Sequence, residues 1–126
     1  MSRGVNLHEL ARDVTDPLRR EFPARFLDLE HRGDGDAEWE GDDLADALGA
    51  MLRHAFAQDA SDASVWVRTS GAGDELRIDI AWHGAEPGSD LLRAATAAAA
   101  ARGGIFDLKD APDRAIRATW SLPRRT

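Results

Sequence analysis

The stretch Glu75–Leu92, ELRIDIAWHGAEPGSDLL, begins with the period of a strand and ends with that of a helix. Leu76, Ile78, Ile80 and Trp82 recur at every second position, which buries one face of a strand. Gly84, Pro87 and Gly88 then interrupt the pattern. A helix is predicted from about Ser89 to Arg102, stopped by Gly103-Gly104. Strand-to-helix turns of this kind suit phosphate groups, because glycine lets backbone come close and the helix start is electropositive. This turn instead carries Trp82, His83 and Glu86, where such a site would use a carboxylate and more glycine. It is a nucleotide site, the remains of one, or only a turn.

Working outward, SVWVRT before this strand pairs with it through Ser70-Gly71-Ala72-Gly73-Asp74, a hairpin loop signal. Further upstream, Leu44, Ala47, Leu48, Met51, Leu52, Ala55 and Phe56 fall on one stripe at helical spacing. That helix starts at Asp42 or Asp43. FLDLE (Phe26–Glu30) reads as a strand, RGDGDAE as a turn and AEWEG as a short strand beyond it. The first helix places Leu7, Leu10, Ala11, Val14 and Leu18 on one face, capped by Asn6 or Asp13. Pro17 inside it predicts a kink or a restart near Asp16. After the glycine pair, IFDLKD and AIRATWSLP form a last hairpin around a turn at Ala111-Pro112-Asp113. By this reading Trp39, Trp66, Trp82 and Trp120 all fall in strands. The predicted fold is an α/β two-layer sandwich, a mixed sheet with about three helices on one face.

Composition narrows the function classes. The chain has 126 residues, enough for one domain over 1–126, and is 43% apolar and 31% charged. Its net charge of -7 speaks against nucleic acid and anionic membranes as partners. Fifteen arginines against one lysine point to a GC-rich genome rather than to a function. The absence of cysteine excludes disulfides and thiol chemistry. MSRGVNLHELARD lacks the apolar core of a signal peptide, and the alanine-rich run Ala94–Ala101 is too short to span a bilayer. A cytoplasmic location is expected.

Several segments resemble, in order, the ATP-binding domain of histidine kinases, the GHKL or Bergerat-fold ATPases. VNLHELARDV resembles the lead into that domain's first helix. DDLADALGAMLRHAFAQ resembles its asparagine-box helix, and DELRIDIAWHG the strand ending in its Asp-x-Gly-x-Gly box. AAAAARGGIFDLKDAPDRAIRATWSLP resembles its closing helix and hairpin. The resemblance runs from about Val5 to Pro123.

It implies a Bergerat-like fold, with ATP and magnesium as the family's ligands. The matched positions depart from that pattern. The family's magnesium- and phosphate-holding asparagine falls on His54, and its adenine-binding aspartate on Trp82. Gly84 survives from the glycine box, but the second glycine falls on Glu86. The phosphate loop falls on Ser89, Asp90 and Leu91, and the long ATP lid is missing between Ala85 and Gly88. Losing the adenine partner and the phosphate cradle together would remove about 4–6 kcal/mol of binding, leaving millimolar affinity at best. Trp82 fills the groove if it points inward, and Glu86 and Asp90 repel phosphate.

The expectation is a degenerate, non-catalytic domain with no cofactor and no metal, which binds a protein of two-component or anti-sigma signalling type. Trp66 and Trp120, if outward, form its partner surface or a homodimer face. One rival is an active kinase domain whose adenine carboxylate is Asp79. Another is a phosphotransfer protein using His54 or His8, although His8-Glu9-Leu10 has the wrong spacing to Pro17 for a phosphoacceptor box. A third takes the chain as part of a longer kinase. His31 and His83 complete no metal-binding spacing. The acidic pairs Asp34/Asp36, Asp42/Asp43 and Asp59/Asp62 read as turn and cap residues.

Overall fold

A computed structural model describes residues 4–58, 64–111 and 115–125. The Asp59/Asp62 pair and the Pro112-Asp113 turn lie outside the described residues.

Helix α1 (Leu7–Glu21) starts at Asn6, whose Oδ1 accepts the amides of His8 at 3.0 Å and Glu9 at 3.1 Å. It runs through Pro17 without the expected restart. Pro17 is exposed, so water can take the carbonyl its missing N–H leaves free, while Leu18 anchors the next turn in the core. Strand β1 (Leu27–Gly33) reaches further than FLDLE, because its pairing with β2 (Val65–Ala72) continues to Gly33 opposite Gly71. Between them, helix α2 (Asp42–Phe56) buries all seven residues of the predicted stripe. Strand β3 (Glu75–His83), helix α3 (Ser89–Ala100), strand β4 (Ile105–Asp110) and strand β5 (Ala115–Pro123) complete the chain.

The sheet order is β1-β2-β3-β5-β4, with β1 and β2 parallel and the other pairs antiparallel. The three helices cover one face, so the two-layer sandwich stands as predicted. No helix among the described residues is long and apolar enough to cross a membrane. The opposite face is polar. There Glu30 accepts from Arg32 and Arg68, which hold its carboxyl below the usual carboxylate range.

AEWEG is not a strand. Ala37, Trp39 and Gly41 are buried and their neighbours exposed, so the period of two is real. Its hydrogen bonds, however, go to separate segments: Ala37 N to Val5 O, Glu38 N to Arg124 O, and the Trp39 indole to Pro123 O at 2.7 Å. The segment crosses the end of the core instead of joining the sheet. Arg102, only 5% exposed, seals this end. Its guanidinium stacks on Trp39, donates to Ala98 O and Glu40 O, and pairs with Asp43, holding that carboxyl below its usual range.

Gly103, at φ 74°, closes α3 with paired bonds, Gly104 N to Ala99 O and Gly103 N to Ala100 O. This is the glycine stop read from the sequence.

Candidate functional groove

The last turn of α2, the end of β3 and the connection to α3 converge where the sequence placed a ligand site. Only the five residues Gly84–Gly88 lie between His83 and Ser89. The Trp82 side chain points inward and is 1% exposed. Its indole donates to Ala85 O at 3.2 Å, and His54 Nε2 donates to the same oxygen at 2.9 Å. The two rings meet edge-on, with centroids 5.9 Å apart. Gln58, one helical turn after His54, accepts the Ala85 amide through Oε1 at 2.8 Å and donates to His54 O at 3.0 Å. Because His54 Nε2 carries the proton aimed at Ala85, its 3.4 Å approach to Gln58 Nε2 is a contact between two donors and no bond. The backbone N–H and C=O of Ala85 are thus satisfied by Gln58 just past α2, His54 of α2 and Trp82 of β3.

Gly84 allows this seating. Its φ is 142°, and a Cβ there would lie 2.5 Å from Gln58 Oε1. We expect Gly84→Ala to cost about 2 kcal/mol, from backbone strain and from displacing Gln58. Urea unfolding checks this, and a neutral result would mean that the connection is not held where described.

The groove therefore gathers His54, Trp82 and Gly84 of the predicted positions. The others stay outside it. Glu86, Ser89 and Asp90 are exposed, with Asp90 3.6 Å from Arg93, and Leu91 packs its half-buried side chain against the core. Sequence reading missed Gln58 and the Ala85 backbone. The spacing of four from His54 to Gln58 was the available signal, since it sets Gln58 on the side of His54 just past the end of α2. Surface depressions of ≈ 530, ≈ 690, ≈ 540 and ≈ 380 Å³ are lined by other residues. Among the described residues no group of three or more His, Asp or Glu could hold a metal ion.

The remaining candidates resolve as follows. Trp120 does not face outward: it is fully buried, and its indole donates to Ala95 O at 3.0 Å. Ile116 and Leu122 alternate with it on the inner side of β5, so the two-tryptophan surface patch does not exist. Trp66 does sit on the open face, half-buried, with the guanidiniums of Arg68 at 4.5 Å and Arg117 at 5.8 Å over its ring. Trp39 lies outside any strand. Asp79 also lies on the open face, 6% exposed, and accepts from Thr119 at 2.7 Å and Arg77 at 3.3 Å.

No protein-family model matches the sequence, and no curated protein matches it significantly. Solved structures do. The mycobacterial sensor histidine kinase MprB superposes with a TM-score of 0.83 at 16% identity, covering 99% of this chain and 99% of that one. The fold is that of a histidine-kinase catalytic domain. The catalytic domain of histidine kinase ThkA gives a TM-score of 0.81 at 11% identity, over 99% and 98% of the two chains. The ATP-binding domain of PrrB from Mycobacterium tuberculosis gives 0.81 at 16%, again over 99% and 98%. A buried indole stands where the resemblance calls for a carboxylate, and a peptide of the chain itself occupies its hydrogen-bonding groups.

Proposed function

We propose that this domain keeps the histidine-kinase fold as a scaffold, holds neither ATP nor magnesium in its groove, and acts by binding another protein. The carrying observation is the Ala85 peptide bonded to His54, Trp82 and Gln58 in place of a ligand. A nucleotide entering there would first have to break these bonds, each contributing about 1 kcal/mol. It would then find no carboxylate for its base, and imidazole is a poor magnesium ligand beside oxygen. A partner from two-component or anti-sigma signalling follows from the fold by analogy. The acidic chain, with a net charge of -7, favours a partner surface that is basic.

Calorimetric titration with ATP and ADP, with and without Mg²⁺, tests the reading. We expect no heat of binding up to millimolar nucleotide. Affinity tighter than about 100 μM, equivalent to about 5.5 kcal/mol, would overturn it.

A further inference from the structure

The first turn of α1 meets the parallel β1–β2 edge through two histidines and one threonine. His8 Nδ1 lies 2.6 Å from Thr69 Oγ1, and His31 Nδ1 lies 2.7 Å from the same oxygen. The rings are 4.7 Å apart between centroids. His8 Nε2 donates to Gly33 O at 2.9 Å. That bond leaves Nδ1 of a neutral His8 as an acceptor, so Thr69 donates to His8 and accepts from His31 Nδ1–H. Thr69 is fully buried, so its hydroxyl hydrogen has no water to turn to.

The triad can accommodate one extra proton. A charged His8 donates through Nδ1 to Thr69, whose hydroxyl then turns to a His31 carrying its hydrogen on Nε2. It cannot accommodate two. Both Nδ1–H groups would then aim at one oxygen, the buried hydroxyl hydrogen would lose its acceptor, and two cations would share one contact.

The surroundings do not offset that charge. From α1, Arg12 acts on His31 with the same sign, and Glu9 is exposed. In the segment after β1, Asp36 accepts from Asn6 and Asp34 lies 3.7 Å from Arg124. Glu30 and Arg32 of β1, with Arg68 of β2, are engaged together on the other face of the sheet. Burial, then His8 and then Arg12 hold the His31 imidazole below its ordinary value of 6.5. Its contribution to stability is therefore present above that value and is lost as pH falls through the folded-state value.

We propose that His8, Thr69 and His31 form an acid-sensitive clasp, which pins the first turn of α1 to the β1–β2 edge until a second proton releases it. The amides of Leu7, bonded to Gly35 O at 2.7 Å, and Leu10, bonded to Asn6 O at 2.9 Å, report on it directly.

Hydrogen exchange at these two amides, corrected for intrinsic rates, is compared between about pH 7.5 and about pH 5, on either side of the imidazole range. Protection in the natural protein should fall at least about tenfold, while His31→Gln, which cannot take the second proton, should stay within about twofold. Equal responses in the two proteins, or no fall in the natural one, overturn the proposal. Should the variant fail to fold, imidazole ¹⁵N shifts of the natural protein decide alone. Two separated protonation steps, with protection lost at the second, support the clasp. Coincident steps refute it.

Discussion

Trp82→Asp, which writes back the carboxylate that histidine kinases use for adenine, is expected to destabilise the domain by about 4 kcal/mol or more and to restore no ATP binding. Removing a buried tryptophan costs about 3–5 kcal/mol through lost burial and the cavity left behind. Trp82 is 1% exposed, so that full range applies. The new carboxylate would sit beside Ala85 O, an acceptor facing an acceptor, and would have to take up a proton or remain unpaired. A typical domain has about 5–15 kcal/mol in hand, so the variant should be mostly folded at best and unfold at much lower urea. Trp82→Phe serves as its control. It keeps most of the bulk and loses the indole donor, but Ala85 O keeps His54, so about 1 kcal/mol is expected. Urea melts of both variants, with ATP titration of whatever folds, decide the matter. A stable Trp82→Asp that binds ATP in the micromolar range would mean that the groove is closed by one side chain and is otherwise intact.

The contrast between these two variants follows from how the short connection Gly84–Gly88 is held. Gly84, Ala85, Glu86 and Gly88 are exposed and Pro87 is buried, so the connection lies at the surface and is tied down through Ala85. His54 of α2, Gln58 just past its end and Trp82 of β3 supply the bonds that hold it there. Stability of the fold and occupation of the groove are thus the same set of contacts. A variant that reopens the groove loses stability in proportion, which links the expected result for Gly84→Ala to that for Trp82→Asp.

Most of this fold was legible because its strongest elements bury one clean face. The stripe on α2 needed only the helical period, and β3 only alternation. The glycine stop of α3 was written as two adjacent glycines. Four parts were hidden for distinct reasons. Ala37–Gly41 has the period of a strand but bonds to two separate segments, at Val5 and at Pro123–Arg124, and periodicity reports burial, not pairing. Arg102 reads as an ordinary basic residue at a helix end, yet the crossing segment buries it against Trp39. The seating of Ala85 is a backbone interaction, invisible to side-chain patterns, and only Gln58 four residues after His54 hinted at it. The His8–Thr69–His31 clasp joins three elements, with no spacing in the sequence to announce it.

Trp120→Ala is expected to be the other most damaging single change, at about 4 kcal/mol, and it bears on where this protein can meet a partner. Trp120 is fully buried beneath α3, donates to Ala95 O and packs on the Phe106 ring at 4.8 Å between centroids. It ties β5 to α3 and to the edge strand β4, so its loss loosens three elements at once. Trp120→Phe keeps the ring contact and gives up the indole donor, for about 1–2 kcal/mol. Trp66→Ala, on the open face, should cost about 1 kcal/mol or less, because the side chain is half-buried and its arginine neighbours remain ion-paired or solvated. Urea unfolding of the three variants orders them, with unchanged m-values showing that each acts on the folded state. If Trp66→Ala proved as costly as Trp120→Ala, the assignment of inner and outer faces would be wrong. With the expected order, any partner reached through tryptophan on the sheet must find Trp66 and its arginines, since Trp120 belongs to the core.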